Sequence, residues 1–135
     1  MKFLIIATLD TKGVEAEFIC GRIRNAGHTP ILADPGTLGE PLIQADISRQ
    51  QIAQASGMAL DEIIRKEDKA FTQTSMIRGL VKIVLEMFQN GEFRGVIAVG
   101  GGQGTAIATA PMKELPVGVP KVMVSTVACG KTTFG

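Results

Sequence analysis

The sequence predicts an α/β fold in which a Rossmann-like, doubly wound parallel sheet carries helices on both faces. Three observations predict it. Four short apolar segments alternate with segments of helical periodicity, the pattern of strands joined by crossover helices. A cluster of glycines directly follows the third apolar segment, where such folds turn from strand to helix. The hydrophobic content of 45% and the charged content of 20% are typical of a globular domain, so residues 1–135 form a single domain in this prediction.

The first three elements form a strand–helix–strand unit. Residues 3–8 are a nearly continuous apolar run, typical of a parallel strand covered on both faces. A turn over residues 9–13 leads into a helix over residues 14–26, and Gly27 ends that helix. Residues 30–34 form the second strand. The apolar positions of the helix are expected to face inward; they are Val14, Phe18, Ile19, Ile23 and Ala26.

The middle of the chain is predicted to contain a loop and three helices. Residues 34–41 include two prolines and two glycines, which is loop composition. Residues 46–48 offer a cap for a short helix over residues 48–55, and another short helix follows over residues 60–66.

The longest predicted helix, residues 72–89, is apolar around most of its circumference. Its polar residues form one narrow stripe of Arg78, Lys82, Glu86 and Gln89. Such a helix needs cover beyond one face of a sheet. One possibility is that a second domain or a partner subunit provides the cover, so that the expected assembly is a two-domain chain or a homo-oligomer. The other is that the neighbouring helices of this domain provide it.

The last elements place the predicted binding crevice. A strand over residues 95–99 leads through a glycine-rich turn into a helix to about residue 113, and a fourth strand covers residues 121–127. In the strand order 2-1-3-4, strands one and three are neighbours and their connections pass to opposite faces. Ligands of α/β sheets bind at such a reversal. The loops that meet there are residues 10–13 and 100–105.

The glycine-rich turn has two interpretations. A strand that ends in glycines and continues as a helix presents backbone N–H groups at a positive helix end, which suits phosphate or carboxylate. The same glycines also permit a tight crossing of strand and helix. The spacing is not a dinucleotide fingerprint, since Thr105 occupies the place of the third glycine. Residues 125–132 resemble a P-loop only in length and in their last three residues, because Ser125 occupies the place of the first glycine.

Side chains at the carboxyl ends of the strands complete the predicted site. Lys12 is placed to attract a phosphate in the facing glycine turn. Asp10 and Thr11 act either as ligand contacts or as helix caps. Asp34 acts either as a ribose-binding carboxylate or as a turn former before Pro35. The residues predicted to bind nucleotide or phosphate are Asp10, Thr11, Lys12, Gly13, Asp34, Gly36, Gly100, Gly101, Gly102, Gln103, Gly104, Thr105, Ser125 and Thr126.

Composition argues against several other functions. A net charge of +1 and the absence of Trp and Tyr give no basis for nucleic-acid binding, and no apolar run is long enough for a membrane span. Two widely spaced cysteines fit a reducing cytoplasm, and no cluster has metal-site spacing. Cys129 has no histidine in reach, because His28 falls at the opposite end of the sheet, so no catalytic base can be assigned.

Five segments together resemble one known family. They are Asp10-Thr11-Lys12-Gly13-Val14-Glu15, Leu38-Gly39-Glu40-Pro41, Asp46-Ile47-Ser48, Gly100-Gly101-Gly102-Gln103-Gly104-Thr105 and Val119-Pro120-Lys121-Val122-Met123-Val124-Ser125-Thr126. In collinear order over all 135 residues, the chain resembles the ATP-binding domain family of the plant tobamovirus-resistance protein. The resemblance implies a Rossmann-like domain that is followed, in full-length members, by a second α/β domain. It also implies ATP, with or without Mg²⁺, as the ligand.

The sequence departs from the family pattern at two positions. Gln103 lies between glycines where the family commonly has serine before a glycine pair, which alters the fit of a ligand. Cys129 occupies a position that is usually serine, which argues against a thiol nucleophile. Inhibition of a virus is not carried over, since nothing in the sequence identifies a viral partner.

The leading functional hypothesis is a domain that binds a nucleotide or another phosphate ligand at the glycine turn. One alternative is part of an enzyme that acts on a small phosphorylated or carboxylated metabolite and is completed by a second domain. The other is an oligomerisation or interaction module whose interface is the helix over residues 72–89.

Overall fold

The computed structural model describes residues 1–125, with the backbone alone for residues 102, 103 and 125. They form a four-stranded parallel sheet in the order β2-β1-β3-β4, which confirms the predicted fold class and strand order. The elements in chain order are β1 (Lys2–Ala7), α1 (Leu9–Asn25), β2 (Thr29–Ala33), α2 (Arg49–Ser56), α3 (Leu60–Arg65), α4 (Lys69–Gln89), β3 (Gly95–Gly100), α5 (Gly102–Glu114) and β4 (Lys121–Ser125).

The two faces of the sheet carry different helices. On one face Ile5 and Val99 belong to a core that they share with Leu9 and Cys20 of α1. On the other face Ile6 belongs to a larger core to which α2, α3, α4 and α5 contribute. Because successive side chains of a strand point to opposite faces, β1 contributes to both cores. This explains why its sequence is apolar without interruption.

α1 differs from its prediction in its start and in the face that it buries. It begins at Leu9, and a kink follows at Lys12, whose φ of −120° and ψ of 21° are not helical. Val14 and Phe18 are 74% and 67% exposed, so the prediction that they face inward was wrong. The buried positions are instead Leu9, Gly13, Ala16 and Cys20. They follow helical spacing, and all but Leu9 are small, which allows the helix to lie close to the sheet.

Ser48 caps α2, as predicted. Its Oγ accepts a hydrogen bond from the Gln51 N–H at 3.2 Å, and the Gln51 side-chain oxygen accepts one from the Ser48 N–H at 2.8 Å. This reciprocal pair satisfies two N–H groups at the helix start. Asp46 instead stabilises the edge of β2, because its carboxylate accepts a hydrogen bond from the Leu32 N–H at 2.8 Å.

The apolar circumference of α4 is covered within the domain. Its apolar residues are buried or partly buried in the core shared with α2 and α5; they include Met76, Ile77, Leu80, Ile83, Val84, Leu85 and Phe88. Neighbouring helices therefore provide the cover, and oligomerisation through α4 stays a prediction. No helix in the described part of the chain, α4 included, combines the length and apolarity that crossing a bilayer requires.

Apolar surface stays open on the opposite face of the sheet. Val122 and Val124 of β4 are about half exposed. They pair in register with Ile97 and Val99 of β3 and so share the α1 side of the sheet. The predicted end of this strand at residue 127 lies outside the described residues.

α2 and α4 cross at Gly79 with their backbones in contact. A Cβ at Gly79 would lie 1.9 Å from the carbonyl oxygen of Ile52 in α2. Any side chain at this position would force the two helices apart.

We expect Gly79→Ala to lower the free energy of unfolding by about 2 to 3 kcal/mol, because it overpacks this crossing. Urea unfolding followed by circular dichroism measures the loss. Gly21→Ala is the matched control: no atom lies within 4 Å of a Cβ at Gly21 in α1, so helix propensity should raise stability slightly. An unchanged unfolding free energy in Gly79→Ala would contradict the close crossing.

Candidate functional site

A crevice of about 340 Å³ opens at the carboxyl edge of the sheet, between the ends of β1 and β3. Three segments line it: the start of α1, the start of α5 and the loop that follows β2. The lining residues are Thr8, Asp10, Thr11, Lys12, Pro35, Gly36, Thr37, Leu38, Gly101, Gly104 and Ile107. The loops over residues 10–13 and 100–105 therefore meet at the predicted topological switch point.

The glycine turn makes a tight crossing at Gly100 and leaves open space at Gly104, while anion binding there stays a prediction. Gly100 ends β3 so close to α5 that a Cβ there would lie 2.7 Å from the Gly104 carbonyl carbon and the Thr105 nitrogen. This is the tight crossing of strand and helix. A Cβ at Gly104 would have Thr8 Oγ1 as its nearest neighbour, at 3.8 Å across the crevice. Gly104 thus keeps the crevice open, while Gly100 allows the chain to turn.

The floor of the crevice is the N-terminus of α5. Gly101 is the N-cap residue of this 13-residue helix and has no side chain that could cap it. The first N–H groups of an α-helix have no partner inside the helix, and the helix dipole makes this end positive. The arrangement suits the oxygens of a phosphate or carboxylate.

The wall opposite α5 is the first turn of α1. The Thr8 and Thr11 hydroxyl oxygens lie 3.0 Å apart and share a hydrogen bond. Lys12 is half-buried at the kink and lines the crevice. No carboxylate among the described residues forms an ion pair with Lys12. The crevice therefore contains a cation that the described part of the chain does not neutralise.

Behind the crevice, Arg49 joins two buried carboxylates. Its Nη2 lies 2.8 Å from Asp34 Oδ2 and 3.5 Å from Asp10 Oδ2, and its Nε donates to Asp34 Oδ2 at 3.0 Å. Its Nη1 donates to the Gly39 carbonyl oxygen. We call Asp10, Asp34 and Arg49 the charged cluster. It connects the starts of α1 and α2 to the loop after β2.

The backbone occupies the remaining acceptor sites of both carboxylates. Asp34 Oδ1 accepts hydrogen bonds from the N–H groups of Leu9 at 3.1 Å and Gly36 at 2.8 Å. Asp10 Oδ2 accepts from the N–H groups of Leu38 at 2.9 Å and Gly39 at 3.1 Å. These bonds hold the loop after β2 in place as the third wall of the crevice.

The charged cluster changes the interpretation of two predicted contacts. Asp34 is only 1% exposed and does not line the crevice. Asp10 lines it, and its carboxylate is held by Arg49 and by the backbone N–H groups of the loop after β2. Gly36 packs directly on the cluster, since a Cβ there would lie 2.9 Å from both Arg49 Nη2 and Asp34 Oδ1. These contacts give all three predicted residues a part in shaping the crevice.

Sequence reasoning missed Arg49, which lies within the predicted helix over residues 48–55 and had no predicted role. A signal was available, because Asp10 and Asp34 follow adjacent parallel strands and their carboxylates must therefore lie close together. Two buried carboxylates in proximity require a cation. Arg49, directly after the cap of the next helix, supplies it.

The other predicted site residues lie beside the crevice. Gly13 packs under Leu42, with 2.8 Å between an added Cβ and the Leu42 Cβ. The Thr105 hydroxyl donates to the Gly101 carbonyl oxygen within the first turn of α5.

The backbones of Gly102 and Gln103 belong to the first turn of α5. Ser125 pairs in register with Gly100 and so ends β4 next to the glycine turn. Thr126 lies outside the described residues, as do Cys129 and the rest of the P-loop-like segment.

Two residues with reactive side chains lie away from the crevice. Cys20 is buried in α1, and desolvation raises the pKa of its thiol, which therefore stays protonated at neutral pH. His28 lies at the amino end of the sheet, where its ring packs edge-on against Phe3 at a centroid distance of 5.3 Å. It is half-buried by this contact, at the end of the sheet where the sequence predicted it.

The fold and the crevice define a Rossmann-like α/β domain with a cavity at its topological switch point. Residues 1–134 match the model of the N-terminal domain of the uncharacterised protein family UPF0261. The chain belongs to this family.

Curated proteins of the same family are similar over almost the whole chain. A UPF0261 protein from Clostridium tetani is 38% identical over 131 residues, which cover 97% of this chain and 32% of the relative. One from Brucella suis is 36% identical over 127 residues, covering 94% of this chain and 30% of the relative. The chain thus spans about a third of the length of these relatives.

A plant protein is a more distant relative. The ToMV susceptible protein tm-1(GCR26) of Solanum lycopersicum is 28% identical over an alignment of 144 positions, gaps included, which covers 94% of this chain and 19% of the plant protein. The match supports the predicted resemblance to the plant resistance-protein family at the level of the sequence.

Proposed function

We propose that this domain binds a nucleotide, with ATP as the leading candidate, and that the phosphates lie at the N-terminus of α5. The observation that carries the proposal is the pairing of two features across one crevice. The glycine-capped helix end supplies backbone N–H donors, and Lys12 supplies a positive charge from the opposite wall.

The charges around the crevice favour an anion. Arg49 offsets one of the two negative charges of Asp10 and Asp34, and backbone N–H groups donate hydrogen bonds to both carboxylates. Among the described residues that line the crevice, Lys12 and the positive end of the α5 dipole are the groups that attract an anion. The Thr8 and Thr11 hydroxyls offer further hydrogen bonds to phosphate oxygens.

The choice of ATP rests on the resemblance to the ATP-binding domain family of the plant resistance protein. We further propose that the domain is the N-terminal part of a two-domain protein, because it spans about a third of its curated relatives. Calorimetric titration of the domain with ATP, ADP and NAD, each with and without Mg²⁺, tests the binding. Saturable heat with ATP is expected. A folded domain that binds none of the three would overturn the proposal.

We expect Lys12→Met to weaken ATP binding about tenfold, because it removes a charge-assisted contact of about 1.5 kcal/mol or more. Calorimetry at fixed ionic strength measures the change. Lys82→Met is the control, since Lys82 is exposed on α4 and does not line the crevice. Equal ATP affinity in the Lys12 variant and the control would show that Lys12 does not face the phosphates.

A further inference from the structure

A second cavity, of about 550 Å³, adjoins the crevice. The two share four lining residues, which are Pro35, Thr37, Leu38 and Ile107. The remaining lining comes from the end of α3, the link between α3 and α4, and the first two turns of α4; it consists of Ile64, Glu67, Asp68, Lys69, Thr72, Gln73 and Met76. The second cavity therefore continues directly from the crevice on the side of Pro35 and Ile107.

The second cavity has the lining of a site for an organic group rather than for phosphate. Leu38 and Ile64 form its exposed apolar surface, and the buried side chains of Met76 and Ile107 also line it. Leu38 is 77% exposed and Ile64 is 44% exposed, so two large apolar side chains lie open at its mouth. Exposed apolar surface in a concave site is typical of ligand pockets.

Charge distinguishes the two cavities. The second contains two acidic residues, Glu67 and Asp68, against one basic residue, Lys69. This balance disfavours a phosphate and leaves the uncharged end of a ligand as the better occupant. Glu67 also has a φ of 51°. Among the described residues, it is the only one other than glycine that has a positive φ. This left-handed conformation ends α3, because Glu67 directly follows the C-cap residue Lys66.

We infer that the second cavity is the base subsite of the nucleotide site, a conclusion that rests on the proposed function. Phosphates at α5 place the sugar beside Leu38 and the base among the apolar side chains of the second cavity. Gln73 is half-buried in its wall. A glutamine amide offers one acceptor and two donors, which match the N6 and N7 edge of adenine.

The test compares ATP with inorganic triphosphate on the same protein. Wild-type domain should bind ATP at least tenfold more tightly than inorganic triphosphate, because only ATP occupies the second cavity. Gln73→Leu should weaken ATP binding about tenfold and leave triphosphate binding unchanged. Gln89→Leu makes the same change on an exposed residue of α4 outside the cavity and should affect neither. Ile64→Arg, at the open mouth, should also weaken ATP alone.

The outcomes separate this inference from the proposed function. Two results would overturn the base subsite and leave phosphate binding at α5 intact. The first is equal affinity for ATP and triphosphate in the wild-type domain. The second is normal ATP binding by both Gln73→Leu and Ile64→Arg in folded form. A parallel loss of ATP and triphosphate in Gln73→Leu would also overturn it. Failure of the wild-type domain to bind either compound would overturn both.

Discussion

Gly104→Val is expected to weaken ATP binding by roughly 100-fold while the domain stays folded. The crevice between Gly104 and Thr8 is narrow, with 3.8 Å between an added Cβ and Thr8 Oγ1. The two methyl groups of valine would occupy the space that phosphate oxygens need beside the first N–H groups of α5. Loss of two charge-assisted hydrogen bonds, each worth about 1.5 kcal/mol, gives an effect of this size.

Gly104→Ala separates binding from stability. A lone Cβ makes ordinary van der Waals contact with Thr8, so the fold should accept it, and helix propensity should raise stability by up to about 1 kcal/mol. ATP affinity should fall by less than in the valine variant. The expected signature is higher stability with weaker binding. Full ATP affinity in a folded Gly104→Val would show that Gly104 is not part of the ligand site.

Arg49→Met is expected to lower the free energy of unfolding by about 3 to 5 kcal/mol, because it leaves two buried carboxylates without their cation. The Arg49 side chain is 8% exposed, and those of Asp10 and Asp34 are 5% and 2% exposed. Solvent therefore screens the cluster weakly. Urea unfolding followed by circular dichroism measures the loss.

Two variants control for this prediction. Arg78→Met removes an exposed arginine from α4 and should change stability by less than about 0.5 kcal/mol. Arg49→Lys keeps the charge but loses the fork that reaches both carboxylates, so it should be intermediate. An Arg49→Met variant as stable as Arg78→Met would contradict the structural role of the charged cluster.

The fold was largely predictable because β1 and β3 are short apolar runs, typical of buried parallel strands, and they alternate with segments of helical periodicity. The face of α1 that packs against the sheet was not predictable from the sequence. Val14 and Phe18 have helical spacing and large apolar side chains, yet they lie outside, while Gly13, Ala16 and Cys20 lie inside. Close approach to the sheet selects small residues, and this distance is a property of the packed structure that hydrophobicity along a helix does not encode.

The site was predictable where topology determines it. The carboxyl ends of adjacent parallel strands must lie together, which brings Lys12 to the glycine turn. The charged cluster required a residue from α2 that is distant in sequence, and only the packed structure identifies Arg49 as that residue. The second cavity was not predictable either, because the loop after β2 and the α3–α4 link form it jointly and only the packed structure brings these two segments together. Contact of Asp10 and Asp34 with a ligand stays a prediction.

Backbone amide chemical shifts of the ¹⁵N-labelled domain, titrated with ATP and Mg²⁺, test the central claim most directly. Nucleotide binding at the switch point predicts that the largest saturable shifts fall in residues 100–105 and 10–13, with smaller ones in residues 36–38 and 67–73. A folded domain with no saturable shifts, or with shifts confined to other surfaces, would contradict it.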